Sequence, residues 1–238
     1  MSASHLSDAA RRLFTLYRKS SPVHEASAIR CGETADILSH IHKPGVELAI
    51  WERSLPDDFD RWLENLDPDL LPDGRLLLPA NEVTRGIIRL FEDAGTPEGA
   101  MRDFLQQDIE TLAHLFMKIM RSDVLDIRLE TVRTDACWKF HRDHVPARLL
   151  CSYRGLGTEW VIPEASSAAI AAQKEYTGPR QQLPRHAAGL FKGCCADSGN
   201  GIVHRSPAIA DSGEVRLLLC LNLPSASSPA LWKGARSD

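Results

Sequence analysis

The spacing of apolar residues changes near residue 122 of the chain. Before it, apolar side chains recur every three or four positions, which is typical of amphipathic helices. We expect helices at 7–18, 33–42, 57–66 and 81–95, the last between Asn81 as N-cap and Gly95, and a short strand at 46–51. The segment 96–98 (Thr-Pro-Glu) combines a cap, a first-turn proline and an acidic first turn, and it predicts the start of the longest helix.

After residue 122 apolar and polar residues alternate in short segments separated by Gly, Pro, Asp and Ser. This pattern predicts strands at 123–134, 137–141, 147–153, 158–162, 190–193, 201–204 and 215–223, with one helical segment at 166–173. The fold class is therefore α+β, with a C-terminal half that closes into a sandwich or jelly roll. We expect an N-terminal helical region at 1–121 packed on a jelly-roll core at 122–224, followed by a flexible tail at 225–238.

Composition excludes several classes of protein. The 238 residues are 43% apolar and 25% charged, which is the balance of a globular protein and not of a disordered one. A net charge of −4 offers no basic surface for nucleic acid, and no apolar run is long enough to cross a membrane. Because the first residues also lack the features of a signal peptide, we expect a cytoplasmic protein whose six cysteines are reduced thiols. Nothing in the sequence decides the oligomeric state.

Candidate metal ligands occur in the β-rich half. His141 and Asp143 are two residues apart at a predicted strand end, so both side chains project to one side of an extended backbone. His204 follows at the end of another short strand, and Arg216 lies on the next strand. Two imidazoles and one carboxylate form the ligand set of non-haem Fe(II) oxygenases, with open positions for a 2-oxo acid and dioxygen. A buried guanidinium then suits the far carboxylate of that co-substrate.

Two alternatives remain open from the residues alone. His-x-Asp is a common tripeptide, so His141 and Asp143 could form a loop ion pair while His204 caps a turn. His144 could be a fourth ligand, an outer partner of the metal site or a solvated loop residue. A thiolate from Cys194 or Cys195 in the same shell would favour zinc over Fe(II), because sulfur ligands suit zinc.

The sequence resembles two families. The stretches FHRDHVPARLLCSYRGLGTEWV, GNGIVHRSP and RLLLCLNL look like an uncharacterised bacterial family, a domain of unknown function (DUF1826), over most of the chain. The order of His141, Asp143, His204 and Arg216 resembles the double-stranded β-helix of the Fe(II)/2-oxoglutarate dioxygenases, a jelly-roll or cupin-like barrel, over about the last hundred residues. The first resemblance implies a role in metal homeostasis, since such genes often lie near zinc-responsive ones.

The dioxygenase resemblance implies a hydroxylase of unknown small-molecule or protein substrate with Fe(II) and 2-oxoglutarate as cofactors. His141, Asp143 and His204 would be the catalytic metal ligands. Arg216 would hold the 2-oxo acid, and Arg148 and Tyr153, beside Arg154 on the following strand, would add co-substrate contacts. The alternative function is a non-catalytic zinc-binding protein of metal homeostasis, with His141, His204 and His144 or a cysteine as ligands.

Overall fold

The computed structural model describes residues 28–196, 199–210 and 212–234, so the helix predicted at 7–18 lies outside it. The α-helices are α1 (Asp57–Asn65), α2 (Val83–Asp93), α3 (Ala100–Met120) and α4 (Ser166–Ala172). Short 3-10 helices occupy Ala35–His42, Pro68–Leu70, Ala80–Glu82, Pro163–Ala165 and Gln173–Glu175. In the described chain, no helix has the length and apolar character needed to span a membrane.

Within the described residues, ten strands form two sheets. They are β1 (Ile29–Gly32), β2 (Leu48–Trp51), β3 (Gly74–Pro79), β4 (Val124–Val132), β5 (Ala147–Arg154), β6 (Glu159–Trp160), β7 (Gln181–Gln182), β8 (Ala188–Lys192), β9 (His204–Arg205) and β10 (Arg216–Asn222). The main sheet has the order β1-β2-β8-β5-β10-β4-β3, and the small sheet has the order β7-β6-β9. All pairs are antiparallel except β1 with β2. The α+β class is thus confirmed, with a large and mostly antiparallel sheet.

The main sheet is open, and its closure into a barrel is not observed. Its strands β1, β2 and β3 come from the first 121 residues, so both halves of the chain build one sheet. The part of the predicted tail at 225–234 also contacts this sheet, because the Trp232 amide donates to the Leu77 carbonyl at 2.8 Å.

Several elements differ from their prediction. The segment predicted as a helix at 33–42 is a 3-10 helix, and strands β1, β3 and β7 were not predicted. The longest helix begins at Ala100, because the Thr96 hydroxyl donates to the Leu70 carbonyl instead of capping it. The strand predicted at 137–141 is wrong: Cys137 has a φ of 51°, which interrupts an extended chain, and only His141 makes a β-bridge.

The two faces of the main sheet pack against different layers. On one face Leu217 and Leu219 of β10 join Phe116 of α3 in the large apolar core. On the other face Leu218 of β10 packs with Trp160 of the small sheet. Because side chains of a strand alternate, β10 sends neighbouring residues to opposite layers.

Candidate metal centre

His141 and His204 are brought together by the backbone. The amide of each residue donates to the carbonyl of the other at 3.0 Å, which forms an isolated antiparallel bridge. Their ring centroids are 4.7 Å apart. His204 begins β9, whereas His141 lies in the loop before β5. A pair of hydrogen bonds between residues far apart in sequence therefore sets the two imidazoles side by side.

Both imidazoles have their Nδ1 atom occupied by a backbone carbonyl. His141 Nδ1 lies 2.8 Å from the Lys139 oxygen, and His204 Nδ1 lies 3.2 Å from the Ile202 oxygen. A carbonyl can only accept, so Nδ1 carries the proton and Nε2 keeps its lone pair. The two Nε2 atoms lie 3.7 and 3.3 Å from the carboxylate oxygens of Asp143. This orientation is typical of histidines that bind a metal.

Asp143 is the third member of the cluster, and one of its two carboxylate oxygens accepts a hydrogen bond while, in the described chain, the other does not. Its Oδ1 accepts from Arg148 Nη1 at 2.5 Å, and Arg148 Nε donates to the Asn222 side chain. Its Oδ2 is buried and accepts no hydrogen bond from any described residue. Burial raises the pKa of Asp143, but the neighbouring His204 and the charge of Arg148 outweigh it, so the pKa lies below its usual value. Asp143 is therefore a carboxylate at neutral pH.

The three side chains fit a divalent cation. One donor atom from each of His141, Asp143 and His204 lies within 4.8 Å of the other two. Burial and the adjacent His204 lower the pKa of His141, which keeps its imidazole neutral at pH 7. Two imidazoles and one carboxylate with a buried oxygen that accepts no hydrogen bond in the described chain form a donor set that suits a divalent ion.

A cavity of about 170 Å³ opens beside His141 and His204. Its wall includes four arginines, each already paired with a carboxylate: Arg75 with Asp126, Arg128 with Glu130, Arg148 with Asp143 and Arg205 with Glu159. Of the four arginines, Arg75 and Arg128 were not predicted. The alternation of side chains along β4 and β10 could have identified Arg128 as a cavity residue. It pairs with Cys220, which also lines the cavity.

Arg216 is fully buried at the edge of this region and does not line the cavity. Its Nη1 donates to the Ser206 hydroxyl at 3.1 Å, and Ser206 does line the cavity. Its other bonds go to the Leu156 carbonyl and the Ser152 hydroxyl. In the described part of the chain no carboxylate is within ion-pair distance of it, and burial lowers its pKa to about 10, against the weaker opposing effect of Glu130.

Tyr153 lies away from the cavity, so the structure does not support the predicted co-substrate contact. It is fully buried on the helical face of β5, where its hydroxyl donates to Asp108 of α3 at 2.5 Å. Arg53 binds both oxygens of the same carboxylate. The reason is strand alternation: Arg148 and Tyr153 are five residues apart on β5 and face opposite layers. Arg154 donates to the Leu66 carbonyl and is also engaged elsewhere.

His144, Cys194 and Cys195 do not join the three-residue cluster. They form a second, exposed group whose donor atoms also lie within 4.8 Å of one another. Cys194 Sγ is 3.4 Å from His144 Nδ1. The sequence alternatives that place His144 or a cysteine beside His141 and His204 are thus not what the structure shows.

Solved structures that resemble this chain include several oxygenases. A prolyl-4-hydroxylase from Pseudomonas putida is 13% identical with a TM-score of 0.41 and covers 84% of this chain and 98% of its own. The Kdo hydroxylase KdoO, a non-haem Fe(II) α-ketoglutarate-dependent dioxygenase, is 11% identical with a TM-score of 0.41, over 82% and 89%. A full-length protein from Neurospora crassa, solved in complex with α-ketoglutarate and 5-formyluracil, is 11% identical with a TM-score of 0.41, over 83% and 87%. These likenesses are distant, so the function proposed below rests on the geometry of the site.

A family comparison is more direct. No curated protein matches the sequence. The model of one family, described as a protein of unknown function (DUF1826), matches residues 32–222, which include the whole candidate metal centre. Because that match spans well over half of the 238 residues, the chain belongs to the DUF1826 family.

Proposed function

We propose that this protein is a non-haem Fe(II) oxygenase that uses 2-oxoglutarate to hydroxylate a substrate, with His141, Asp143 and His204 as the metal ligands. The observation that carries the proposal is the buried Oδ2 of Asp143, which accepts no hydrogen bond in the described chain and lies 3.3 Å from His204 Nε2, while His141 Nε2 lies 3.7 Å from the other oxygen. Three ligands on one side of an ion leave the positions that a 2-oxo acid and dioxygen need.

The protein's own residues provide orientation and exclusion of water. The Lys139 and Ile202 carbonyls hold both imidazole rings through Nδ1. Arg148 holds the Asp143 carboxylate in place, and Asp143 is only 5% exposed. Bound Fe(II) supplies the activation of dioxygen. Three donors and no fourth in this cluster of the described chain would leave one side of a bound ion open.

Arg216 is the residue we assign to the distal carboxylate of 2-oxoglutarate. Each cavity arginine already has a carboxylate partner, whereas the bonds that Arg216 makes in the described chain go to neutral oxygens. A buried cation without an anion is unfavourable, and a bidentate carboxylate relieves that cost. The Ser206 hydroxyl separates Arg216 from the cavity, so the co-substrate reaches it by replacing Ser206 at Nη1.

The predicted jelly-roll core is consistent with this assignment. Trp160 of the small sheet packs on Leu150 and Leu218 of the main sheet, so the two sheets face each other. His204 belongs to the small sheet, while Arg148 and Arg216 belong to the main one. We propose that this pair of sheets corresponds to a double-stranded β-helix with the metal between its layers.

The zinc alternative has less support at this centre. Its ligand set called for His141 and His204 together with His144 or a cysteine, and those residues fall into two separate groups. Zinc without sulfur is still an acceptable occupant of a His₂Asp site. An open side toward a polar cavity favours a catalytic ion over a structural one, because structural zinc sites are closed by four protein ligands.

Turnover without substrate tests the proposal. Chain stripped of metal, loaded anaerobically with Fe(II) and given 2-oxoglutarate and air is expected to release carbon dioxide and succinate. His141→Ala and His204→Ala should abolish both that release and iron retention, whereas His114→Ala in α3 should change neither. Iron retained at wild-type level in both cluster variants would overturn the ligand assignment.

A second measurement isolates Arg216. Arg216→Met is expected to weaken 2-oxoglutarate binding about 10–100-fold, since hydrogen bonds to charged groups contribute about 1.5–3 kcal/mol, while iron binding stays intact. Arg89→Met on the exposed face of α2 serves as the matched control. Equal 2-oxoglutarate affinity in Arg216→Met and the parent would remove the co-substrate assignment.

A further inference from the structure

Two loops bring a histidine and two cysteines together at the surface, beside the candidate metal centre. His144 belongs to the loop before β5, and Cys194 and Cys195 form the turn after β8. All three are exposed, and their donor atoms lie within 4.8 Å of one another. His144 and Cys194 are 50 residues apart in sequence, so this proximity is a product of the fold.

The spacing matches a tetrahedral metal site. Zinc bonds of about 2.3 Å to sulfur and 2.0–2.1 Å to nitrogen place neighbouring S and N ligands about 3.6 Å apart at a tetrahedral angle. The observed distance from Cys194 Sγ to His144 Nδ1 is 3.4 Å. The Cys195 thiol lies within 4.8 Å of the donor atoms of the other two residues.

The backbone holds the two loops in this arrangement. The Cys194 amide donates to the Asp143 carbonyl at 2.9 Å, and the Gly193 amide donates to the Pro146 carbonyl at 3.0 Å. A Cβ on Gly193 would lie 2.0 Å from the Val145 carbonyl oxygen, so only glycine permits this approach. Ligands mounted on hydrogen-bonded loops lose little freedom when an ion binds.

The second group is separate from the first although Asp143 and His144 are neighbours. Asp143 is buried and faces His141 and His204, whereas His144 is exposed and faces the cysteines. The chain bends at His144 in the loop before β5, and the two adjacent residues belong to different groups.

We propose that His144, Cys194 and Cys195 form a second metal site, selective for a thiophilic divalent cation such as Zn²⁺ and distinct from the His141–Asp143–His204 centre. Binding displaces one proton from each thiol, and both thiolates and the Nδ1 lone pair then coordinate the ion. Soft sulfur ligands separate this site from the all-N/O centre, which suits Fe(II). The fourth position faces solvent, so the site can exchange its ion.

Cobalt(II) and zinc titrations of the full chain test this proposal. Chain stripped of metal and kept reduced with a phosphine is expected to bind two equivalents of Co²⁺, one of which gives thiolate-to-cobalt charge-transfer absorption. Replacing Cys194 and Cys195 together by Ser should remove that absorption and one equivalent. Zn²⁺ should displace the cobalt and bleach the absorption.

Two variants make the result unambiguous. His141→Ala with His204→Ala should lose the other equivalent and keep the charge-transfer absorption, so failure of one site is distinguished from failure of the other. Cys31→Ser, an exposed cysteine of β1, is the matched control and should behave like the parent. Absent thiolate absorption in the parent, its survival in the double serine variant, or its loss from the His141→Ala, His204→Ala variant would each overturn the second site.

Discussion

One carboxylate cluster lies on each side of β5, and the two clusters differ in whether both carboxylate oxygens have hydrogen-bond partners. On the helical face Asp108 receives Arg53 on both oxygens and the Tyr153 hydroxyl on one of them. On the other face Asp143 receives Arg148 on Oδ1, and its buried Oδ2 is left without a hydrogen bond in the described chain. The first cluster is complete within the protein, so its role is structural. The second has a buried oxygen without a hydrogen bond in the described chain, which supports our proposal that it holds a cation.

The ionisation of the two clusters differs as well. Burial lowers the pKa of Arg53, but the Asp108 hydrogen bond and the neighbouring acidic groups together raise it above its usual value, while burial raises the pKa of Tyr153 well above 10. That cluster therefore holds one ion pair and a neutral phenol over the working pH range. Beside Asp143, burial lowers the pKa of His141, so its imidazole stays neutral and able to bind a metal. We call the Arg53–Asp108–Tyr153 group the closed cluster and the His141–Asp143–His204 group the open cluster. The closed cluster has its ionic partners within the protein, whereas the open cluster keeps an imidazole that can bind a metal.

Removing the carboxylate of the closed cluster should have the largest effect on stability. Asp108→Ala leaves Arg53 charged with its side chain only 8% exposed, and breaking a buried pair costs about 3–5 kcal/mol. Urea denaturation should show this loss. Asp93→Ala, which breaks an exposed pair with Arg89 on α2, should cost less than about 1 kcal/mol. Equal losses for the two variants would contradict the structural role of Asp108.

The open cluster should respond in metal binding instead. Asp143→Asn removes the anionic ligand and should lower Fe(II) affinity by more than about 100-fold, since loss of an outer partner alone costs about 10–100-fold. Its loss of stability should be smaller than that of Asp108→Ala, because water reaches the Arg148 side chain, which is 27% exposed. Iron titration and urea denaturation of both variants measure this contrast. A reversed order of the two losses would break the comparison.

Local pattern was sufficient for part of this picture. The long apolar periodicity predicts α3, and the alternation around β4, β5 and β10 predicts those strands close to their observed bounds. Strand β3 was not predicted because Leu76, Leu77 and Leu78 are consecutive, and a short apolar run has no period that distinguishes a strand from a helix. Helical spacing also does not distinguish the 3-10 helix Ala35–His42 from an α-helix.

The candidate site was likewise predictable from the sequence only in part. The spacing of His141 and Asp143 and the strand-end position of His204 pointed to one cluster, because these signals are local. The backbone bridge between His141 and His204, the ion pair of Arg75 with Asp126 and the contact of His144 with Cys194 join residues far apart in sequence. Tyr153 is a different case, since strand parity alone separates it from Arg148.

Tyr153→Phe tests whether the Tyr153 side chain serves the helical face of β5 and not the co-substrate site. Loss of the hydroxyl removes one of the bonds to Asp108 and should lower the free energy of unfolding by about 1.5–3 kcal/mol, the range for hydrogen bonds to charged groups. Affinity for 2-oxoglutarate should not change, because the side chain faces α3. Denaturation and 2-oxoglutarate binding to the same preparation provide the two measurements. A weaker 2-oxoglutarate affinity with unchanged stability would return Tyr153 to the co-substrate site.

His186 extends the comparison to pH and carries the smallest expected effect. It is 3% exposed beside the closed cluster, where its carbonyl accepts from Arg53 and its Nε2 lies 3.2 Å from the Tyr153 carbonyl. Burial lowers its pKa more than the nearby Asp60 raises it. The unfolded chain therefore takes up this proton below about pH 6.5 while the folded chain resists it. Stability should be unaffected by His186 above that pH and should fall as the pH drops below it.

His186→Gln isolates this contribution because glutamine keeps a donor for the Tyr153 carbonyl but does not titrate. Between pH 6.5 and the lowered pKa, the parent should lose at most about 1.4 kcal/mol per pH unit more than the variant. Urea denaturation of both chains across this range measures the difference, and a constant offset between them only reflects the altered packing. Parallel pH profiles would show that His186 is protonated as readily when folded as when unfolded. In that case the helical face of β5 would not be the closed environment that sets it apart from the Asp143 side.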